Sequence, residues 1–178
     1  MIKVIDLEAT CWNDGTNDRK SEIIEIGGVT IDLSTGKRID EFQSFIKPIL
    51  NPKLSDFCKQ LTSIEQKDVD SARRFNEVYP RFCEWFGSKH KNTLASWGKY
   101  DKNQLIKDCD LHGLSWRLSD EHWNLKHMFE QRFKCEKMGL NTAVKMLNMS
   151  FEGIHHRGIS DAQNAGNVLI RIFHADRV

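Results

Sequence analysis

No apolar run in this 178-residue chain approaches the ~20 residues that a membrane-spanning helix needs, and the N-terminus lacks a basic segment followed by an apolar signal region. The expectation is a protein that works away from membranes. There is no C-x-x-C pair either: the five cysteines, Cys11, Cys58, Cys83, Cys109 and Cys135, are odd in number and widely spaced. That pattern argues against a zinc site or a disulfide framework and for reduced thiols in the cytoplasm. A strong charge of one sign is also missing. With 26 Lys and Arg against 25 Asp and Glu the net charge is +1, so a polyanionic partner has to be met by a local patch and by metal. No internal repeat, low-complexity tract or interdomain linker breaks the chain. At 39% hydrophobic and 29% charged it is long enough for one well-buried core, and a single domain over residues 1–178 is expected.

What the chain does have is a first strand that contradicts itself. From Ile2 onward the β-branched residues are concentrated and no helical period fits, so the run reads as a strand buried on at least one side. Into it the sequence sets Asp6 and Glu8. Side chains alternate faces along a strand, so both acids project the same way, about 7 Å apart along the chain. Two carboxylates that close in an interior repel each other and resist desolvation unless a cation sits between them. Oxygen ligands of this kind suit Mg²⁺ or Mn²⁺ rather than zinc.

The segment Asn13 to Ser21 is polar and reads as a loop. Glu22 to Ile31 is a second strand, Asp32 to Lys37 a turn, and Ile39 to Ile46 an alternating third strand, which together make an antiparallel meander. Pro48 and Pro52 end the pairing and begin an excursion. Within it Leu54 to Ile64 holds a short helix capped by Ser55 or Asp56, and Thr62 or Ser63 opens a second helix near Glu65. Phe75, Val78, Tyr79, Phe82 and Phe86 recur at helical spacing as a core stripe. Thr93 to Trp97 is a fourth strand, leading into a helix from about Asp101 to Leu111. His122 to Leu125 is a fifth, followed by helical patterns over Lys126 to Lys134 and Leu140 to Leu147.

The last helix has the strongest pattern. Ala162, Ala165, Val168, Leu169, Ile172 and Phe173 fall on one face, and Ser160 with Gln163 matches a capping box. Asp161 then sits in the first turn, five residues after His156 on a glycine-containing loop. The order predicts a mixed sheet with acids from the first strand, a middle helix and the last helix near one end.

At this point the run VIDLEATCW, the segment LSDFCKQLTSI, the stretch SWGKYDKNQL and the terminal HHRGISDAQN together resemble the four signature regions of the DEDDh 3′-to-5′ exonucleases. Within that group they most resemble the Eri-type exoribonuclease branch, which also includes bacterial KapD-like proteins. The resemblance runs from about Ile2 to Phe173, and its specificity lies in the order and spacing of the four motifs. It implies an α/β fold of ribonuclease H-like type, with a mixed five-stranded sheet flanked by helices. It also implies two divalent cations and the release of nucleoside 5′-monophosphates from single-stranded 3′ ends.

Carried over position by position, the acidic tetrad is Asp6, Glu8, Asp101 and Asp161, with His156 as general base; His155 has the wrong separation from Asp161. Two ions ~3.5 to 4 Å apart activate water, relieve charge at phosphorus and stabilise the leaving oxygen. The assignment puts Asp6 between the ions, Glu8 and Asp161 on the one that holds the attacking water, and Asp101 on the other. An imidazole pKa of ~6.5 leaves His156 mostly neutral near pH 7, as a base must be. Phe57 and Tyr100 are the first candidates for base stacking, with Trp12 and Leu61 second, since each stacked base contributes ~1 to 3 kcal/mol. Backbone groups of Ala9 and Thr10 resemble the family's contact to the terminal sugar hydroxyls. Arg157, Lys99 and Lys102 flank catalytic positions, where phosphates pass. RNA is the preferred partner by resemblance, read through its 2′-hydroxyl, with a DNA-trimming exonuclease or a non-catalytic nucleic-acid-binding module as alternatives. The chain is expected as monomer or homodimer. With no added nucleic-acid-binding domain before Met1 or after Val178, short or generic single-stranded ends are the expected substrate.

Overall fold

The computed structural model of the chain describes residues 1–15 and 18–174; residues 16–17, inside the predicted loop, and the tail 175–178 lie outside the described residues. Strand β1 (Ile2–Ala9) is the middle of the structure. It pairs antiparallel with β2 (Ile23–Asp32), which pairs antiparallel with β3 (Lys37–Lys47), so the expected meander forms. On its other side β1 pairs parallel with β5 (Thr93–Ser96), and β5 with β6 (His122–Asn124).

The expectation of five strands falls one short. A two-residue strand β4 (Arg73–Arg74) pairs parallel with the end of β3, giving the order β4-β3-β2-β1-β5-β6. Two exposed arginines have neither the length nor the alternation that marks a strand in sequence.

Seven helices cover the sheet among the described residues. They are α1 (Asp56–Thr62), α2 (Gln66–Asp70), α3 (Phe75–Phe86), α4 (Tyr100–Leu111), α5 (Leu125–Phe133), α6 (Leu140–Met146) and α7 (Gly158–His174). None is long and apolar enough to cross a membrane. The pleat of β1 divides two cores. Ile5 and Leu7 pack with Val78, Tyr79, Phe82 and Phe86 of α3, whereas Ile2 and Val4 pack with α5, α6 and α7. β1 is covered on both faces, which is why apolar residues occupy both sides of its pleat despite Lys3, Asp6 and Glu8. The same alternation puts Asp6 and Glu8 on the α7 side, just beyond Val4.

Glycine lets α7 come that close. A Cβ on Gly27 of β2 would lie 2.0 Å from the Gly158 carbonyl carbon and 2.2 Å from the Ile159 nitrogen. Backbone therefore rests on backbone where α7 begins. Gly27→Ala is expected to lift that helix start off the sheet, at or above the upper end of the ~1 to 3 kcal/mol of an overpacked core. A urea midpoint within experimental error of wild type would contradict this.

Local capping departs from expectation at two helices. Ser55 caps α1 as expected, accepting from Cys58 N at 2.9 Å, but α2 is capped by Glu65 and Asp68 rather than by Thr62 or Ser63. The Thr62 hydroxyl instead donates to Cys58 O within the preceding helix. In α7 the Ser160–Gln163 box does not form. Ser160 Oγ accepts from Ile154 N, and Gln163 reaches Glu41. The helix starts three residues earlier, at Gly158, where the Glu25 carboxylate from β2 accepts from Gly158 N at 3.1 Å.

Candidate active site

Four elements bring five of the predicted residues to the end of β1. Asp6 and Glu8 come from the strand, and Asp101 from the first turn of α4. Asp161 comes from the first turn of α7, and His156 from the turn before it. Asp101 is pinned to β1, its Oδ1 accepting from Leu7 N at 3.1 Å. Ligand atoms of Asp6, Glu8 and Asp161 lie within 4.8 Å of one another, as do those of His155, His156 and Asp161. All five predicted residues, with Trp97, Tyr100, Gly139, Leu140 and His155, line a cleft of about 350 Å³.

His156 adopts a left-handed backbone, φ 62°, and its N–H donates to Asp161 Oδ2 at 3.3 Å. A turn at that φ is uncommon for a residue with a side chain, and the bond ties its backbone to the helix behind it. The rings of His155 and His156 have centroids 3.9 Å apart.

The electrostatics are those of a site lacking positive charge. Asp6 is held well above the usual carboxylate range by burial first, then by Asp101, Asp161, Glu8 and Glu25. Glu8 is pushed up to about 8 by burial and by Asp161, Glu25 and Asp101. Burial raises Asp101 to about 6 against hydrogen bonds that include those from Ser96 and Leu7 N. Asp161 also rises to about 6 through burial, opposed by its bond from His156 N. The other Asp161 oxygen, Oδ1, is buried and finds no hydrogen-bond partner among the described residues. Such an oxygen costs about 1 to 3 kcal/mol or more unless something binds it. An all-oxygen donor set, mutual repulsion and an orphaned carboxylate oxygen fit a hard divalent cation.

Burial lowers the pKa of His156, with His155 acting in the same direction and Asp161 against it. That direction favours the neutral ring.

Of the residues expected to meet nucleotides, Tyr100 lines the cleft and is 54% exposed. Phe57 and Leu61 stand on α1, and Trp12 lies after β1; none of them lines it. Helix α1 is tied to the end of β1 through Ser55 Oγ to Cys11 O, 2.6 Å, and Cys58 Sγ to Ala9 O, 3.8 Å. The backbone N–H of Thr10 donates to Glu22 O, and its carbonyl accepts from Ser21 Oγ. Those two groups are therefore committed inside the protein, while Ala9 has its carbonyl engaged by Cys58.

Arg157 differs from expectation. Rather than lying open to phosphate, its Nε and Nη2 donate to the fully buried Glu25 carboxylate at 3.0 and 3.3 Å. Glu25 also accepts from Gln43 and from Gly158 N, so it clamps the turn that carries His156 and Asp161. Sequence reasoning missed Glu25, although an acid inside an apolar strand is the same signal that marked Asp6. Trp97, expected in the fourth strand, lies beyond its end. Its indole N–H donates to Met138 O, and the ring forms a wall of the cleft.

Comparison with known proteins agrees with this arrangement. Residues 4–169 match the exonuclease (RNase_T) family model. The chain is 30% identical over 180 residues to human 3′-5′ exoribonuclease 1, covering 96% of this chain and 52% of that protein. It is 28% identical over 192 residues to 3′-5′ exonuclease Snipper of Drosophila melanogaster, covering 96% and 68%. Over 183 residues it is 29% identical to human ERI1 exoribonuclease 2, of which it spans only 26%. Several of these curated relatives are thus much longer than the matching region. The crystal structure of the nuclease domain of 3′hExo, a DEDDh family member bound to rAMP, superposes with a TM-score of 0.91 at 30% identity, covering 98% of this chain and 92% of that one.

Proposed function

Because the chain belongs to the DEDDh exonuclease family, we propose that it is a single 3′-to-5′ exoribonuclease domain that hydrolyses single-stranded RNA ends to nucleoside 5′-monophosphates. The observation that carries this reading is the cluster of half-buried Asp6 with buried Glu8 and Asp161, one oxygen of it unpartnered, set beside a histidine whose neutral form is favoured, in an open cleft. Relatives named as 3′-5′ exoribonucleases support RNA over DNA.

Asp6, Glu8 and Asp161, with Asp101 behind them, would hold two divalent ions, Mg²⁺ or Mn²⁺. Bound there, such ions neutralise charge at phosphorus and activate the attacking water. The chain supplies the rest. His156, on a turn whose backbone is held by Asp161, would accept the proton of that water on an imidazole nitrogen. Tyr100, on the rim, offers a π face to the terminal base. Trp97 and Leu140 give the cleft an apolar wall. Five free cysteines suit a reducing compartment.

Matched 5′-labelled RNA and DNA oligomers, incubated with Mg²⁺, Mn²⁺ or excess EDTA, test the reading. A ladder that shortens from the 3′ end with either ion, stops in EDTA and advances faster on RNA is expected. A folded protein that binds both oligomers yet degrades neither would make it a binding module. Faster loss of DNA would make it a deoxyribonuclease.

A further inference from the structure

A second cleft, about 590 Å³ against about 350 Å³ for the catalytic one, is used by none of the chemistry above. It is lined by Arg19, Lys20 and Ser21 from the segment before β2 and by Gln104, Lys107, Asp110 and Leu111 from α4. Arg19 is paired with Asp14, which leaves Lys20 and Lys107 against the single carboxylate of Asp110, in a protein whose net charge is +1. That is a local basic patch, the kind a near-neutral chain needs to meet a polyanion.

The position of the cleft is as telling as its charge. Helix α4 forms a wall of both clefts: Tyr100 and Asp101 face the catalytic one, and Gln104 and Lys107 face this one. Gln104, one turn beyond Tyr100, donates to Ser21 O at 2.9 Å and so holds the basic segment against the helix. Gln104 is itself fixed by its bond to the buried Asp108, which accepts from Ile23 N. The wall shared by the two clefts is therefore anchored to β2. From Tyr100 to Lys107 the helix rises about 10 Å. Lys107 is therefore set back from the catalytic cleft along the helix, at a distance suited to upstream nucleotides rather than to the terminal one. Arg19 adds a planar surface, its guanidinium held by Asp14 at 2.8 Å and lying 5.1 Å from the centre of the Trp12 ring.

We infer that this cleft is the track for the sugar–phosphate backbone of the nucleotides upstream of the 3′ end, with Lys20 and Lys107 as its phosphate contacts. The inference rests on the exonuclease reading for its direction and deepens it. It assigns length dependence to residues outside the catalytic set.

The test is the double variant Lys20→Glu/Lys107→Glu, assayed in two ways. In EDTA, anisotropy with a 5′-fluorescein 12-mer of single-stranded RNA measures binding without turnover. In Mn²⁺, kcat and KM are compared on that 12-mer and on a dinucleotide. The variant should bind the 12-mer at least tenfold more weakly and should lose about 1.4 from the slope of log K against log salt, as two fewer phosphate contacts on a single strand require. Its KM for the 12-mer should rise by a similar factor while dinucleotide turnover stays within twofold. Equal effects on both substrates, or unchanged 12-mer binding, would overturn the track. If wild type binds the 12-mer and cleaves neither substrate, the exonuclease reading fails, while loss of binding in the variant still upholds the track.

Discussion

Asp6→Asn should melt at a higher temperature than wild type in EDTA and gain almost nothing from Mg²⁺ or Mn²⁺, while losing at least about 10³-fold in turnover. The first half follows from the site's electrostatics. Asp6 is crowded by Asp101, Asp161, Glu8 and Glu25, and each of those charges raises its pKa. Asparagine keeps the shape and removes one member of the repelling set, relieving the others as well. Each kcal/mol so relieved corresponds to roughly 2 to 4 °C in a chain of this size. The second half follows from linkage. A cation bound at one hundred times its Kd stabilises the wild type by about 2.7 kcal/mol, and the variant has given up a ligand. Charge stabilisation of several kcal/mol at the transition state, at 1.36 kcal/mol per factor of ten, sets the rate loss. A variant that melts lower than wild type in EDTA, or one that still shifts fully with Mg²⁺, would remove Asp6 from this role.

The same groups fix the pH dependence of the metal-free protein. Glu8 titrates at about 8 in the fold, and Asp101 and Asp161 at about 6, all above the ~4 of unfolded carboxyls. The folded state therefore binds more protons than the unfolded state between pH 4 and 8, and stability falls as pH rises through that window. The stabilising effect of a divalent ion runs the other way, because it needs the carboxylates ionised. Melting curves in EDTA and Mg²⁺ should thus diverge most above pH 8 and converge near pH 5. Asp6→Asn should flatten the EDTA curve.

Which parts of this site can be read in the chain depends on how far apart the partners lie. Asp6 and Glu8 declare themselves because a two-residue spacing on an apolar strand settles their common face without any tertiary information. Asp161 and His156 do so because a helix start and a short loop keep them together. Glu25 obeys the rule that marked Asp6, an acid in an otherwise buried strand, but its partner Arg157 is 132 residues away. Nothing local says that the two meet. That long-range pair also explains the failed capping box: Glu25 caps α7 from the sheet, so Ser160 is free to bond Ile154. The aromatics are the hardest to place. Phe57 and Tyr100 have equal claims in sequence, and only the docking of α1 and α4 on β1 puts Tyr100 in the cleft and leaves Phe57 outside its lining. The meander, by contrast, needs only strand patterns and a tight turn, and it forms as the chain suggests.

Glu25→Ala should be the most damaging single change outside the acidic set, costing about 3 to 5 kcal/mol and, through the His156–Asp161 turn, most of the activity. Two effects compete. Removing Glu25 takes away a charge that raises the pKa of Asp6, Glu8 and Asp161, and that relief is stabilising. Against it stands the loss of a fully buried carboxylate holding four donors: two from Arg157, one from Gly158 N and one from Gln43. Breaking a buried pair from one side leaves the other charge uncompensated, and that penalty exceeds the relief of a repulsion spread over several groups. At roughly 2 to 4 °C per kcal/mol, the melting temperature should fall by about 6 to 20 °C. The companion variant Glu25→Leu/Arg157→Met separates the causes, since replacing both charges with apolar side chains removes the stranded guanidinium. It should recover much of the stability, because two uncharged side chains leave no buried ion behind. It should not recover turnover, because Gly158 N remains uncapped and the turn that orients His156 is no longer clamped. A single variant within about 1 kcal/mol of wild type, or a double variant with restored turnover, would show that the turn holds its shape without Glu25.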